Sequence, residues 1–254
     1  MAPLPPSAPE LTVRVSAAEA DDSPSQLDSV SADISLLGGA RLRARRGEAA
    51  VNFSIPLVPT DGELLHPYLA PAAALVWQWE GREALHAGAV ELGRGAVLLF
   101  GAKTAGKSTT LAWLAREAGI AVLADDLVVI DSGAVLAGPR SIDLRTEDAG
   151  GDASAGSGAV VRGGERLRVT LPPAPASLPA TASVLLRWGE RVELSPIAPA
   201  ERLAVLGSLR SYPPLPPDDA ALLELASREM VVLERPRTPA GLREAGEALL
   251  SRFG

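Results

Sequence analysis

The stretch GAKTAGKS, residues 101–108, has the form G-x-x-x-x-G-K-S, which is the pattern of a phosphate-binding P-loop. The pattern carries this meaning only where a buried strand precedes it and a helix follows it. Residues 96–100, AVLLF, form a short apolar run of strand length. Residues 108–118 carry apolar side chains at helical spacing, and Gly119 supplies a stop. The sequence therefore predicts a strand, a phosphate-binding loop and a helix in that order.

The residue types of the motif suit a polyphosphate. Glycines let the backbone approach the anion, while successive N–H groups and the positive end of the helix dipole face it. Lys107 would reach the β- and γ-phosphates, and the Ser108 hydroxyl would ligate Mg²⁺. A chance match is the alternative, but Lys103 and Lys107 are the only lysines of the chain, which indicates that an ammonium group is needed here. The residues predicted to bind the nucleotide are Gly101, Ala102, Lys103, Thr104, Ala105, Gly106, Lys107, Ser108 and Thr109.

Composition narrows the classes of protein that the chain can represent. Its 254 residues suit one large α/β domain, or one domain with appendages. The net charge of −7 argues against a nucleic-acid partner, which would favour a basic face. No apolar run is long enough to span a membrane, the N-terminus lacks the pattern of a secretory signal, and there is no cysteine. We therefore expect a cytoplasmic protein with neither a membrane nor a nucleic acid as its partner.

The segments around the loop predict a mixed α/β protein. Residues 1–80 contain short alternating runs and a late helix, which predict a β-rich N-terminal appendage. Residues 81–254 form the predicted core, with strand 85–92 paired to the P-loop strand and a helical C-terminus. The Gly/Ser/Ala-rich segment 146–164 lacks periodicity, so we expect a mobile loop that could act as a lid. The core is expected to bury four tryptophans: Trp77, Trp79, Trp113 and Trp188.

A pair of carboxylates, Asp125 and Asp126, follows the apolar run 120–124 directly. If that strand neighbours the P-loop strand, both carboxylates lie near the Mg²⁺ and the γ-phosphate of a bound nucleotide. One could then hold the metal through water, and the other could accept a proton from an attacking hydroxyl. The alternative is that the pair only makes a turn between two strands polar. Beside a P-loop, the chemical interpretation is the better one.

Two further side chains are candidates for the site. His86 lies on the strand predicted to pair with the P-loop strand, where an imidazole could contact the γ-phosphate or orient a carboxylate. The alternative for His86 is a half-buried histidine with a backbone partner. Arg140 and Arg145 flank Asp143, and an arginine that reaches the transferred phosphoryl group would stabilise the transition state. Surface ion pairing is the alternative for these arginines.

The order of these motifs resembles the catalytic core of HPr kinase/phosphorylase, which shares its fold with phosphoenolpyruvate carboxykinases. The resemblance covers about residues 84–145. It implies a mixed-sheet P-loop kinase core. It also implies that Asp125 is the general base, that Asp126 helps to hold the metal, and that His86 lies beside the transferred phosphate.

The chain is more similar to the shorter HPr-kinase-like proteins. Some of these phosphorylate serine on a precursor peptide, lasso peptides among them. Relatives of HPr kinase are often hexameric, so the resemblance leaves a homo-oligomer possible.

These observations predict an ATP- and Mg²⁺-dependent phosphotransferase. It would move the γ-phosphoryl group to a hydroxyl, in the first place to a serine of a peptide or protein. Asp125 would deprotonate the acceptor, while Mg²⁺, Lys107 and Arg140 would neutralise charge on the transferred group. A kinase for a sugar or amino-acid hydroxyl is one alternative. A nucleotide-binding regulatory module without turnover is the other.

Overall fold

A computed structural model describes residues 10–57, 59–60, 64–145, 159–161 and 166–254. Within them the chain forms three β-sheets and five α-helices, which makes it a mixed α/β protein, as predicted.

The strands, in chain order, are β1 (Thr12–Ala17), β2 (Gln26–Leu27), β3 (Ser31–Ser35), β4 (Arg41–Arg45), β5 (Ala50–Ile55), β6 (Glu83–Leu85), β7 (Gly88–Leu92), β8 (Gly95–Phe100), β9 (Val122–Ala124), β10 (Val128–Asp131), β11 (Ala134–Leu136), β12 (Ser141–Arg145), β13 (Ala159–Val161), β14 (Arg166–Thr170), β15 (Ser177–Trp188), β16 (Glu193–Pro196) and β17 (Glu229–Arg235). The helices are α1 (Ala70–Trp79), α2 (Lys107–Glu117), α3 (Pro199–Gly207), α4 (Asp219–Ser227) and α5 (Pro239–Phe253). A 3₁₀ turn spans Leu37–Gly39, and a π-helical turn over Leu64–Leu69 leads into α1.

The N-terminal strands form a sheet of their own, in the order β1-β5-β4-β3-β2. Alternate side chains of these strands point to one face, as the period of a strand requires. Leu42 and Phe53 from that face pack with Leu75 and Trp79 of α1. Leu215, from the distant segment between α3 and α4, completes this cluster. The N-terminal sheet therefore shares its core with a later part of the chain.

The central sheet has nine strands. Seven of them follow the order β6-β10-β11-β15-β8-β7-β9, while β17 pairs with β15 and β16 with β17. Strand β8, which precedes the predicted P-loop, is antiparallel to β7 and parallel to β15, which is in turn parallel to β17. Because β8, β15 and β17 run in the same direction, their carboxyl ends meet at one edge of the sheet. A third, smaller sheet has the order β12-β14-β13.

Helices cover both faces of the central sheet. Leu98 and Phe100 of β8 pack on one face in a cluster that includes residues of α3 and α4. Val97 and Leu99 pack on the other face with residues of α2 and α5 and of the small sheet. All four side chains are buried, because a strand with helices on both sides has no solvent-facing side. This explains the unbroken apolar run before the loop.

The prediction of one strand over residues 85–92 is wrong in one respect, because the structure divides this segment between β6 and β7. β6 pairs with β10, whereas β7 pairs with β8 and β9. At the break, the backbone N–H of His86 donates to Leu209 O, at 2.7 Å, instead of to a neighbouring strand. The imidazole contacts Asp126. The break therefore leaves a polar side chain between two strands at the edge of the predicted site.

The predicted mobile loop at 146–164 lies mostly outside the described residues, and its described part, 159–161, is strand β13. Within the described ranges, no helix combines the length and the apolar character that crossing a membrane requires.

Candidate functional site

The glycine-rich loop, residues 101–106, connects β8 to α2 as the motif predicts. Gly106 caps the helix with φ of 86°, and Gly101 has φ of 152°. Thr104 also adopts a positive φ, 74°, which is rare for a β-branched residue. A Cβ at Gly106 would overlap the guanidinium group of Arg235. The loop thus brings the first N–H groups of α2 to the sheet edge, with Arg235 close by, as an anion site requires.

Lys107 is buried inside this loop, with 7% of its surface exposed. Its ammonium group donates to Gly101 O at 2.8 Å and lies 3.2 Å from His86 Nε2. Burial lowers the pKa of Lys107, while the nearby carboxylates Asp126 and Asp125 act to raise it. The ammonium group is therefore held at the loop, where the sequence motif predicts an anion.

The two carboxylates lie in the turn after β9 and make different contacts. The Ser108 hydroxyl donates to Asp125 Oδ1 at 3.0 Å. His86 Nδ1 lies 3.0 Å from Asp126 O and 3.3 Å from Asp126 Oδ1. Since the Asp126 carbonyl can only accept, Nδ1 carries the proton and Nε2 can accept from Lys107. The structure therefore brings Lys107, Ser108, His86, Asp125 and Asp126 into one cluster.

Asp126 has a positive φ of 69°, an uncommon backbone conformation that aspartate tolerates better than most residues. Such conformations concentrate at functional sites.

Arg140 is directed away from this cluster. Its guanidinium group donates to Val122 O at 2.6 Å, to Leu123 O at 3.2 Å and to Pro172 O at 2.8 Å. Its neighbourhood is thus the backbone of β9 and of the segment after β14, and it is not among the residues that line the cleft described below. The predicted contact of Arg140 with the phosphoryl group finds no support in this position.

A cleft of about 820 Å³ opens over the loop and the carboxylates. Its lining contains seven lysines and arginines but only four aspartates and glutamates, although the whole chain is acidic. The seven basic residues are Lys103, Lys107, Arg116, Arg145, Arg166, Arg235 and Arg237. Such a local surplus of positive charge in a cleft attracts polyanions. Of the arginines, only Arg145 is a candidate from sequence.

Trp188 belongs to the cleft and not to the core, so the prediction for this tryptophan is wrong. Its side chain is 37% exposed at the end of β15. The guanidinium carbon of Arg235 lies 4.5 Å from the centre of the Trp188 ring, and that of Arg237 lies 5.5 Å from it. Trp79, in contrast, is buried as predicted. No sequence pattern marks residues 188, 235 and 237, because only the sheet order brings them to the loop.

The residues present fit a nucleotide-bound Mg²⁺. In the described part of the chain, no group of three or more His, Cys, Asp or Glu side chains forms a metal cage. The Ser108 hydroxyl and the adjacent Asp125 carboxylate form a small oxygen set beside the loop. Mg²⁺ at nucleotide sites is commonly held by one or two protein ligands together with phosphates and water. Asp126 is the other carboxylate within the cluster.

Comparisons with known proteins leave the family open. No family model matches the chain, and no curated protein matches it. Among solved structures, the Hpr(Ser) kinase/phosphatase from Coxiella burnetii aligns with 67% of this chain and 94% of its own, at 13% identity and a TM-score of 0.33. A similarity of this size assigns neither a fold nor an activity. Membership of the HPr-kinase-like family therefore stays a prediction.

Proposed function

We propose that the protein is an ATP-dependent phosphotransferase that moves the γ-phosphoryl group to a hydroxyl. The observation that carries the proposal is the cluster at the sheet edge. The buried Lys107 donates a hydrogen bond to the glycine-rich loop and lies within hydrogen-bonding distance of the His86 imidazole. The adjacent Ser108 donates a hydrogen bond to Asp125, which is one of two neighbouring carboxylates. Phosphoryl transfer needs little more from a protein than positioning and neutralisation of charge.

The contacts support a division of roles opposite to the one that the family resemblance implies. Asp125 accepts a hydrogen bond from Ser108, the serine that would ligate Mg²⁺, so we assign Asp125 to metal binding. Asp126 contacts His86, so we assign Asp126 as the base that takes the proton of the acceptor hydroxyl. His86 would orient the Asp126 carboxylate. Mg²⁺, when bound, supplies neutralisation of charge on the β- and γ-phosphate oxygens. Asp125 as the base and Asp126 as the metal ligand is the alternative.

The cleft has an apolar wall, which would suit an acceptor substrate with an apolar part. One wall comes from the N-terminal segment and contains Leu36, Leu37, Pro67, Ala70 and Pro71. Leu37 is 70% exposed there and belongs to the apolar surface of this wall. We propose a serine of a peptide or protein as the acceptor. The volume of the cleft also lies within the range of small-molecule sites, which favours a sugar or amino-acid hydroxyl as the second candidate.

The test is transfer of a radiolabelled γ-phosphoryl group from ATP to serine peptides and to small hydroxyl compounds. Asp126→Asn should keep MgATP binding and lose at least about 100-fold in turnover, because a positioned general base contributes at least that much. Asp125→Asn should instead raise the Mg²⁺ concentration needed for activity.

The control is Glu247→Gln, which removes an exposed carboxylate of α5 and should behave as wild type. If Asp125→Asn loses turnover and Asp126→Asn raises the Mg²⁺ requirement, Asp125 is the base and Asp126 the metal ligand, as the family resemblance implies. Tight ATP binding without transfer to any acceptor would identify a regulatory module instead.

A further inference from the structure

We propose that the Trp188 stack, defined as Trp188 with the guanidinium groups of Arg235 and Arg237, is the subsite that holds the aromatic base of the nucleotide. This inference rests on the proposed function, since it concerns the other end of the same ligand. The phosphates would lie at the loop and at Lys107, and the base would lie against the stack.

The stack is in direct contact with the loop. A Cβ at Gly106 would overlap Arg235 and would lie 3.1 Å from the Trp188 ring. The reason is topological: β8 ends in the loop, β15 ends at Trp188 and β17 ends at Arg235, and the three strands are parallel neighbours. A ligand with its phosphates at the loop therefore has the stack beside it.

The exposure of the three side chains divides the stack into a fixed and an open part. Arg235 is only 3% exposed and lies closest to the loop, so its guanidinium group is fixed where the phosphate end of a ligand would lie. Trp188 is partly exposed, and Arg237 is exposed. An accessible indole with a movable guanidinium group over it offers a flat surface on which a nucleobase can stack.

The adjoining wall is suited to the same ligand. Thr238, Pro239 and Leu242 from the first turns of α5 line the cleft next to Arg237. The Thr238 hydroxyl accepts from Gly241 N at 3.0 Å, which fixes the start of this helix. Apolar groups with a few oriented polar ones are the usual composition of a site for a nucleoside-sized ligand.

Trp77 shows that an arginine over an indole is not by itself a ligand site. The guanidinium carbon of Arg82 lies 4.5 Å from the centre of the Trp77 ring, the same distance as in the Arg235–Trp188 pair. Trp77 and Arg82 do not line the cleft, and Arg82 is also paired with Asp131. The chain thus supplies a matched control for the loss of a tryptophan stacked with an arginine.

The experiment compares two ligands, ATP and inorganic tripolyphosphate, by titration calorimetry with Mg²⁺ present. ATP should bind the wild-type protein about tenfold more tightly than tripolyphosphate, because stacking of one base contributes on that order. Trp188→Ala should remove most of this preference and leave tripolyphosphate affinity within about twofold. Trp188→Phe should retain most of the preference, and Trp77→Ala should change neither affinity.

The outcomes separate this inference from the proposed function. Equal binding of ATP and tripolyphosphate to the wild type would overturn the base subsite without any variant, so a poorly folded Trp188→Ala protein does not prevent the test. Equal losses for both ligands in Trp188→Ala would mean that Trp188 only holds Arg235 at the loop, and would also overturn it. Absence of binding by both ligands to the wild type would instead refute the proposed function.

Discussion

Position 106 has room for a hydrogen atom and for nothing larger. Its backbone requires φ of 86°, and the space that a side chain would enter contains Arg235 and Trp188. Gly119, at the end of α2, has a similar φ of 66° but open space around it. The two glycines therefore separate the cost of backbone conformation from the cost of steric overlap.

Gly119→Ala should cost about 1 kcal/mol of folding stability, which is the usual penalty for a side chain in the left-handed region. Gly106→Ala should pay this penalty and also displace Arg235, so tripolyphosphate binding should fall below detection. Thermal unfolding and calorimetric titration of both variants test the prediction. Retention of wild-type affinity by Gly106→Ala would show that the loop is not the anion site.

At the scale of an element, Asp33 forms ion pairs with two arginines that join strands β3 and β4. Asp33 on β3 accepts from Arg41 Nε at 2.7 Å and from Arg43 Nε at 3.0 Å, both on the adjacent strand β4. Burial alone would raise the pKa of Asp33, but the hydrogen bonds and charges of the two arginines outweigh it and lower the pKa below 3.8. The folded state thus favours the ionised carboxylate.

The lowered pKa of Asp33 makes the stability of the N-terminal sheet depend on pH. The contribution of Asp33 should be complete above about pH 3.8 and should be lost as the pH falls through the lower folded-state pKa. Asp33→Asn should therefore be less stable than wild type at neutral pH, and the difference should shrink below pH 3.8. Thermal unfolding across the pH range measures this, with the exposed Asp22→Asn as control. A difference that stays constant in acid would contradict the prediction.

The helix and strand that flank the loop follow from local sequence, whereas the partners of other elements do not. The motif, the apolar run before it and the helical run after it are contiguous, so each part supports the others. The break at His86 depends on pairing with β10, and the direction of Arg140 depends on the carbonyls of β9. Periodicity states which face of a strand is apolar but not which strand lies beside it.

Across the whole molecule, the buried carboxylate of Glu83 joins three parts of the chain. It accepts from Gln78 on α1, from Arg210 and from the backbone of Asp218, and none of its surface is exposed. Arg210 is itself 7% exposed. Loss of one partner would leave a buried charge without its counter-charge, which costs far more than the pair contributes.

Glu83→Ala should lower the free energy of unfolding by about 3–5 kcal/mol. Glu224→Ala, which breaks an exposed pair with Arg228 within one helical turn, should cost under about 1 kcal/mol. Chemical denaturation of both variants gives the comparison. Similar losses for the two would mean that solvent reaches the Glu83–Arg210 pair.

The site divides in the same way into local and global parts. Lys107, Ser108, Asp125 and Asp126 could be proposed from sequence because each belongs to a short motif at a strand end. Trp188, Arg235 and Arg237 could not, since their place depends on β15 lying between β8 and β17. A tryptophan after an apolar strand is otherwise a good candidate for the core, which is why that prediction failed.

The parallel arrangement of β8, β15 and β17 also has a consequence for protein synthesis. The ribosome completes β8 early, but β17 emerges only shortly before α5, the last helix. Until then β15 lacks its parallel neighbour β17, and a nascent chain does not yet have Arg235 and Arg237 in the cleft. The cleft therefore has its full set of basic side chains only after the second half of the chain has been made.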